Sequence, residues 1–274
     1  TMQELADIAG VTRGTVSRAL NDSPRVNEKT KARIRKLAEK HDYRVNQQAR
    51  NFRLRRTGVI SVVFMLDVKS DQHMSDPFFL EMLGGIADCL AEHDLDLFLA
   101  HAPVDDVLEL QGSRVFQNSD GVIFIGQGRQ HEKLNIVAKS DTPIVVWGAP
   151  MPGQAYCRVG GDNVAGGYLA TKHLLETGRR SIAFFGDIKL PEIALRFSGY
   201  QKALEVPGDV AVVGYDDIGI ASYGNPSLTT IRQNIRSAGR ALVESLLKII
   251  DGQQSDDTTL PSELVLRQSS GKAK

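Results

Sequence analysis

The chain has 274 residues, 42% of them hydrophobic, with 33 Lys+Arg balanced by 33 Asp+Glu. This length suits one large domain or two to three smaller ones, and the apolar content excludes a disordered or fibrous protein. Two cysteines, Cys89 and Cys157, make neither a disulfide framework nor a zinc ligand set. The longest apolar run, Val59–Leu66, is broken by Ser61 and is far short of a bilayer span. The first residues lack the basic-then-apolar pattern of a signal peptide. A cytoplasmic protein with no membrane partner, no metal and no cofactor is expected.

The neutral sum hides a division. Residues 1–57 hold 14 Lys+Arg and 6 Asp+Glu, a net of +8, and the remainder carries −8. A basic head on an acidic body is what a nucleic-acid reader joined to another module would show, although charge alone fits a solvated basic surface equally well.

The pattern inside the head favours the reader. Leu5, Ile8 and Ala9, then Val16, Ala19 and Leu20, then Ile34, Leu37 and Ala38 share the spacing i, i+3, i+4. Three short helices would each turn one apolar stripe to a common small core. Gly10 and Val11 separate the first two helices, and Thr12 is placed to cap the second, which gives a tight helix–turn–helix. On the second helix Gly14, Ser17 and Arg18 point away from the stripe, with Arg13 at its N-terminal end. Gly14 allows close approach to base edges; Arg13 and Arg18 can donate to guanine or phosphate, and Thr12 and Ser17 suit phosphate oxygens. The third helix, about residues 27–41, reads as support, with Lys29, Lys31, Arg33, Arg35 and Lys36 facing solvent.

A second segment, Asn46 to Arg53, could form about two helical turns. Helices this short are marginal alone in water, so contacts from DNA and a second subunit would have to stabilise it. From Val59 onward, strand-like runs at Val59–Leu66, Leu95–Ala100, Gly121–Ile125 and Pro143–Trp147 alternate with helices expected at Phe78–His93, Val104–Gln117 and His131–Lys139. This alternation implies a parallel sheet covered on both faces. A second series opens at Gly160-Gly161-Asp162-Asn163, with a helix to about Thr177, a strand at Ser181–Gly186 and a helix at Glu192–Glu205. The glycines beside Asp162 lack the G-x-G-x-x-G spacing of a dinucleotide loop, and Asp162 also reads as a helix cap. Further on come a strand at Val210–Gly214, a helix at Ile235–Ile250 and a strand at Leu264–Arg267.

The run from Thr1 to Asn21, with Thr15-Val16-Ser17-Arg18 followed by Leu20-Asn21, strongly resembles the headpiece of the lactose-repressor (LacI/GalR) family of bacterial transcription regulators. The resemblance continues through Tyr43, Asn46 to Phe52, Thr57-Gly58-Val59-Ile60 and on to the C-terminal segments. It implies an all-α helix–turn–helix headpiece on an α/β two-lobed body like that of periplasmic binding proteins. It adds Thr1, Thr15 and Asn21 to the DNA-contacting set. It also makes 46–53 a hinge helix in which Asn46, Ala49 and Phe52 meet the minor groove, Phe52 standing where the family has a wedging leucine. Phenylalanine is an accepted minor-groove wedge. Val45 replaces the usual proline.

The resemblance further places a small carbohydrate effector between the lobes. Phe78 and Phe79 supply aromatics at the cleft edge, and Gln127 and Trp147 follow the third and fourth strands. Asp162 opens the second lobe, Arg196 precedes Gly199-Tyr200, and Asp216 lies in Val212-Val213-Gly214-Tyr215-Asp216-Asp217. Carboxylate and guanidinium groups pair with vicinal hydroxyls, and flat rings cover a sugar's C–H face. The expected domains are a DNA-binding domain at 1–45, a hinge and linker at 46–57, a first lobe at 58–159 and 228–253, and a second lobe at 160–227 and 254–274.

The second lobe departs from the family. Two further βα units should follow the helix ending near Glu205, but Glu205 runs directly into Val206-Pro207-Gly208-Asp209. About 60 residues are absent, at about 30 per unit. Either a deletion has exposed parallel-sheet edges, or a segment of the natural chain is left out of this sequence. A Cα separation of about 3.8 Å between Glu205 and Val206 marks a genuine peptide link.

The expected function is that of a homodimeric repressor reading a palindromic DNA operator, modulated by a sugar and associated with the nucleoid when bound. A transport sugar-binding module would need a signal peptide and no basic head. An enzyme is not expected: G-x-S-x-G, H-E-x-x-H and P-loop motifs are absent, and His41, His73, His93, His101, His131 and His173 are scattered. A DNA-binding protein blind to effector, because of its incomplete second lobe, is the remaining alternative. No leucine heptad tail points to tetramers.

Overall fold

The computed structural model describes residues 1–20, 22–41, 43, 56–66, 72–103, 107–179, 182–204, 213–224 and 227–270. Asn21, the hinge residues Asn46, Ala49 and Phe52, and the Glu205–Val206 junction lie outside the described residues. The chain forms two compact units, Thr1–Arg56 and Thr57–Lys274.

In the first unit, α1 (Met2–Ala9), α2 (Arg13–Leu20) and α3 (Glu28–Lys40) surround a core of Leu5, Ala6, Ala9, Val16, Ala19, Val26, Ile34 and Ala38. Thr1 Oγ1 caps α1 by accepting from the Glu4 N–H, and Asn27 Oδ1 caps α3 by accepting from the Thr30 N–H at 2.8 Å. Gly10 ends α1 at φ 61°, where the left-handed backbone costs glycine nothing. Two expectations need correction. Ile8 is 52% exposed and Ala6 is fully buried, because so small a core closes only where alanine lets the helices approach. Lys31 is buried: its stem lies in the core, and its ammonium reaches Glu28 at 2.7 Å and Asp22 at 3.0 Å.

The second unit is built on a six-stranded parallel sheet. Its strands are β1 (Val59–Leu66), β2 (Asp96–Pro103), β3 (Gly121–Ile125), β4 (Ile144–Trp147), β5 (Cys157–Gly161) and β8 (Thr258–Leu260), in spatial order β2-β1-β3-β4-β5-β8. Helices cover both faces, so β1 and β3 are continuously apolar rather than alternating. Ser61, the interruption in β1, is buried and donates to the Val115 carbonyl at 2.8 Å. One face packs on α4 (Pro77–Glu92) and α9 (Ile235–Ile250). These helices cross backbone to backbone: a Cβ on Gly239 would lie 2.7 Å from the Gly85 carbonyl carbon. The other face packs on α5 (Arg114–Gln117), α6 (His131–Val137) and a 3-10 turn at Val107–Gly112. The single helix expected over Val104–Gln117 is therefore broken at Ser113, whose hydroxyl closes one turn on Leu110 and caps the next at Val115.

Three sheet strands fall across the expected lobe boundaries. β7 (Thr230–Gln233), expected in the first lobe, pairs with β6 (Gly214–Tyr215) and β9 (Ser262–Val265) of the second. β5 carries Gly160 and Gly161, and β8 carries residues 258–260, into the first sheet. Arg158 holds them there. It is buried on β5, its N–H and Nε donate to Asp257 at 2.8 and 3.3 Å, and Nη2 donates to Thr259 Oγ1 at 2.8 Å.

The second lobe is smaller. A three-stranded sheet, β6 (Gly214–Tyr215), β7 (Thr230–Gln233) and β9 (Ser262–Val265), lies with α7 (Asn163–Glu176) and α8 (Pro191–Ala203). The strand expected at Ser181–Gly186 is not formed over the described residues 182–186. Without neighbouring strands to satisfy its backbone, the segment packs on α8 instead. Tyr200 Oη donates to the Ile182 carbonyl at 2.7 Å, and Phe184 meets Phe197 edge-on at 5.2 Å. The clusters of buried apolar side chains belong to the headpiece and to the two faces of the first sheet, whereas Phe185 and Tyr223 of the second lobe are 92% and 87% exposed. The second lobe is truncated, as its sequence implied.

Candidate functional site

The headpiece presents α2 outward. Val16 and Ala19 face the core, while Arg13, Gly14 and Arg18 are exposed and Ser17 is half-buried. Thr12 caps the helix as expected: its Oγ1 accepts from the Thr15 N–H at 3.1 Å and lies 2.9 Å from Thr15 Oγ1. Arg18 Nε donates to the Gly14 carbonyl at 3.0 Å, which leaves its remaining donors at the exposed surface. Behind this face, Arg33 Nη2 donates to the last carbonyl of α1, that of Ala9, at 3.0 Å. Asp22, in the left-handed region at φ 56°, binds Lys31 and Arg35 at 3.0 and 2.8 Å. Hydrogen bonds from Lys31 hold the Asp22 carboxyl below its ordinary range, and those to Glu28 and Asp22 raise the Lys31 ammonium. The turn between α2 and α3 is thereby fixed by charge, so the α2 face is presented by a rigid frame.

Of the effector residues expected from sequence, Gln127 and Trp147 fall at the C-terminal ends of β3 and β4, where open α/β sheets place ligands. Phe78 and Phe79 open α4, Asp162 precedes α7, Arg196 lies on α8 and Asp216 follows β6. Phe78, at the start of α4, packs tilted against Trp147 with ring centroids 6.4 Å apart. Phe79 turns the other way: it packs edge-on to Phe64 at 5.3 Å as part of the first-lobe core, and so leaves the cleft edge to Phe78. Gln127 is fully buried, and neither polar atom of its side chain has a hydrogen-bond partner. Gly148 makes room for it, since a Cβ there would collide with Gln127 Oε1.

On the second lobe Asp162 caps α7, its Oδ1 accepting from the Ala165 N–H at 2.9 Å. Arg196 lies 3.8 Å from the centroid of the Tyr215 ring, and its Nε donates to Asn163 Oδ1 at 2.8 Å. A guanidinium clamped by a ring on its face and an amide on its edge is pre-oriented for a ligand. Asp216, at φ 79°, accepts from Gln233 Nε2 at 2.6 Å. Its neighbour Asp217 binds Arg232 at 2.7 Å and Arg267 at 2.6 Å, which fixes the turn after β6.

Sequence reasoning did not single out Glu192, one helical turn before Arg196. Burial pushes its carboxyl above the ordinary carboxylate range, while the Arg196 charge and the Ala149 backbone N–H act in the opposite direction. Its i, i+4 relation to Arg196 was the available signal. Among the described residues no cluster of His, Cys, Asp and Glu could hold a metal ion, and no helix is long and apolar enough to cross a membrane.

A helix–turn–helix head followed by a two-lobed α/β body with its polar side chains between the lobes defines a ligand-responsive DNA-binding regulator. Comparison with known proteins agrees. Residues 1–46 match the bacterial regulatory proteins of the lacI family, residues 64–209 match the periplasmic binding proteins and sugar binding domain of the LacI family, and residues 201–270 match a periplasmic binding protein-like domain. The chain belongs to the LacI family and is a transcriptional regulator, not an enzyme.

It is similar to the transcriptional regulator CelR of Thermobifida fusca, 27% identical with 97% of this chain and 95% of CelR covered. It is also similar to the repressor PurR of Photobacterium profundum, 24% identical with 98% of each covered. The CelR pairing runs over 329 positions against the 274 residues here, so at least 55 positions face no residue of this chain. That surplus is the size of about two βα units. Among solved structures, a CelR–cellobiose complex superimposes with a TM-score of 0.68 at 25% identity, covering 98% of this chain and 99% of that one. The lac repressor dimer bound to operator and the anti-inducer ONPF superimposes with a TM-score of 0.78, covering 99% of both chains; at 19% identity it shows the shared fold.

Proposed function

We propose that the protein is a homodimeric repressor that reads a palindromic operator and responds to a small carbohydrate bound between its lobes. The observations that carry the effector reading are the Arg196 guanidinium clamped on the second lobe and, on the first, a buried Gln127 without hydrogen-bond partners and the Phe78–Trp147 aromatic pair. Buried polar groups left unpaired in the free protein suit a hydroxyl-rich ligand. The cellobiose in the CelR complex supports the class of ligand. In this reading Phe78, Gln127, Trp147, Asp162, Arg196 and Asp216 meet the sugar, and Glu192 joins them.

The DNA-contacting set is Thr1, Thr12, Arg13, Gly14, Thr15, Ser17, Arg18 and Asn21, with Asn46, Ala49 and Phe52 in the hinge. The reader occupies 1–45 and the hinge and linker 46–57. The lobes follow the expected division, except that β5 and β8 close the first sheet and β7 joins the second, which moves the crossings to Gly161–Asp162, to Asn234 and to Leu260–Ser262. Dimerisation is supported by the β2 edge strand, which leaves Phe98 and Leu99 40% and 38% exposed. A DNA partner places the protein in the cytoplasm, on the nucleoid when bound.

Effector binding and operator binding would be linked through lobe closure, so each must change the other's affinity by the same factor. Calorimetry of a panel of mono- and disaccharides against the full chain, with and without a selected operator, tests this. Heat from one sugar, with reciprocal coupling to DNA, is expected. Heat from none would favour the second reading, an effector-blind DNA-binding protein, which the exposed Phe185 and Tyr223 of the truncated lobe support.

A further inference from the structure

Asp187 sits in the turn that precedes α8. Its Oδ1 accepts from the Lys189 N–H at 3.0 Å, and its carbonyl accepts from the Leu190 N–H at 2.9 Å. Its second carboxylate oxygen faces the other lobe, where Arg129 Nη2 donates to Oδ2 at 2.9 Å. Arg129 belongs to the loop between β3 and α6, which Gly126 and Gly128 turn through positive φ angles of 91° and 47°. That loop also carries Gln127, so the pair stands at the rim of the same cleft. The lobes are already tied at their hinge, where the Asp162 N–H donates to the Leu260 carbonyl at 2.9 Å and Ser262 Oγ donates to the Asp162 carbonyl at 3.1 Å. The Arg129–Asp187 contact instead joins a first-lobe loop to a second-lobe turn, and it can exist only while the two are together.

We infer that Arg129 and Asp187 form an electrostatic latch across the mouth of the cleft, which favours the closed arrangement of the lobes and so sets how tightly the cleft retains its ligand. The effect on ligand retention rests on the effector reading above; the latch itself does not. With side chains 58% and 46% exposed, the pair is open to salt. An ion pair of this exposure shifts an equilibrium by about two- to fivefold, enough to matter between lobe arrangements separated by a few kcal/mol. One Asp187 oxygen is held by its own turn, so the carboxylate is aimed before closure and little side-chain entropy is lost on pairing.

The test is the inter-lobe distance distribution of the full chain without any sugar, read by electron–electron double resonance. Nitroxides are placed at Lys139→Cys and Lys202→Cys, two exposed positions on opposite lobes, in a Cys157→Ser background. Arg129→Ala and Asp187→Ala should each raise the long-distance fraction by about two- to fivefold, and the double charge reversal R129D/D187R should restore it. High salt should open the parent protein but not the Arg129→Ala variant. Unchanged distributions in the single variants, or no restoration by the reversal, would overturn the latch. Since no sugar is present, a chain that binds no carbohydrate would refute the effector reading and leave this result standing.

Discussion

Arg18 Nε donates to the carbonyl oxygen of Gly14, 3.0 Å away and one turn earlier on the same exposed face of α2. This bond fixes the base of the guanidinium and leaves its outer nitrogens aimed away from the headpiece core. If those nitrogens form a bidentate pair with a guanine, Arg18→Ala should weaken operator binding by about 1–3 kcal/mol. It should also relax preference at one base position. A purely phosphate contact would instead lower affinity evenly across sequences and reduce the salt slope by about one. Competition binding over a set of single-base operator variants separates these outcomes, and unchanged affinity would remove Arg18 from the interface.

Helices α4 and α9 meet at Gly85 and Gly239 with no room for a side chain. Gly239→Ala must push the two backbones apart, and overpacking of this kind costs about 1–3 kcal/mol. Denaturant unfolding should show a lower midpoint with an unchanged slope. A midpoint equal to that of the parent would mean that the helices separate freely.

The headpiece and first lobe were largely legible in the sequence because their signals are local. Continuous apolar runs give β1 and β3, and the i, i+3, i+4 triplets give the three headpiece helices. The failures share a physical cause: a side chain's burial depends on partners far along the chain. β5 is not among the strands expected from sequence; its Arg158 is buried there because Asp257, 99 residues later, accepts its hydrogen bonds. Lys31 reads as a solvated charge, but Asp22 and Glu28 meet it beneath the α2–α3 turn. Phe78 and Phe79 are indistinguishable by composition, and only the position of Phe64 decides which enters the core. The strand expected at Ser181–Gly186 has a local apolar pattern but no neighbours with which to pair.

Glu192 is held above the ordinary carboxylate value of 4.5 chiefly by burial. The folded state therefore binds a proton more readily than the unfolded chain. Stability should fall as pH rises from the unfolded value through the folded one, and the cost should persist at neutral pH. Glu192→Gln removes that charge, so it should raise the thermal midpoint at neutral pH, with the gain shrinking as pH falls toward 4.5. A lower midpoint at neutral pH would show that the charged carboxylate is stabilising after all.

His173 is buried on α7 with Nε2 2.6 Å from Ser270 Oγ, and burial lowers its affinity for a proton from the ordinary 6.5. Ser270 in turn lies 2.7 Å from Thr229 Oγ1, so the network ties the C-terminal segment to α7 and to the approach to β7. The unfolded chain takes up a proton first. This contribution should thus be complete above pH 6.5 and be lost as pH falls through that value toward the lowered folded one. Thermal melts from neutral to mildly acidic pH should show a steeper decline for the parent than for His173→Asn; parallel curves would exclude the histidine as the cause.

The salt dependence of the full chain's affinity for a fragment selected from genomic DNA tests the central claim most directly. A dimer with two basic headpieces on phosphate should lose about a thousandfold or more in affinity between about 50 and about 200 mM salt, linearly in a log–log plot. An affinity for the selected fragment that barely changed over that range would contradict the account.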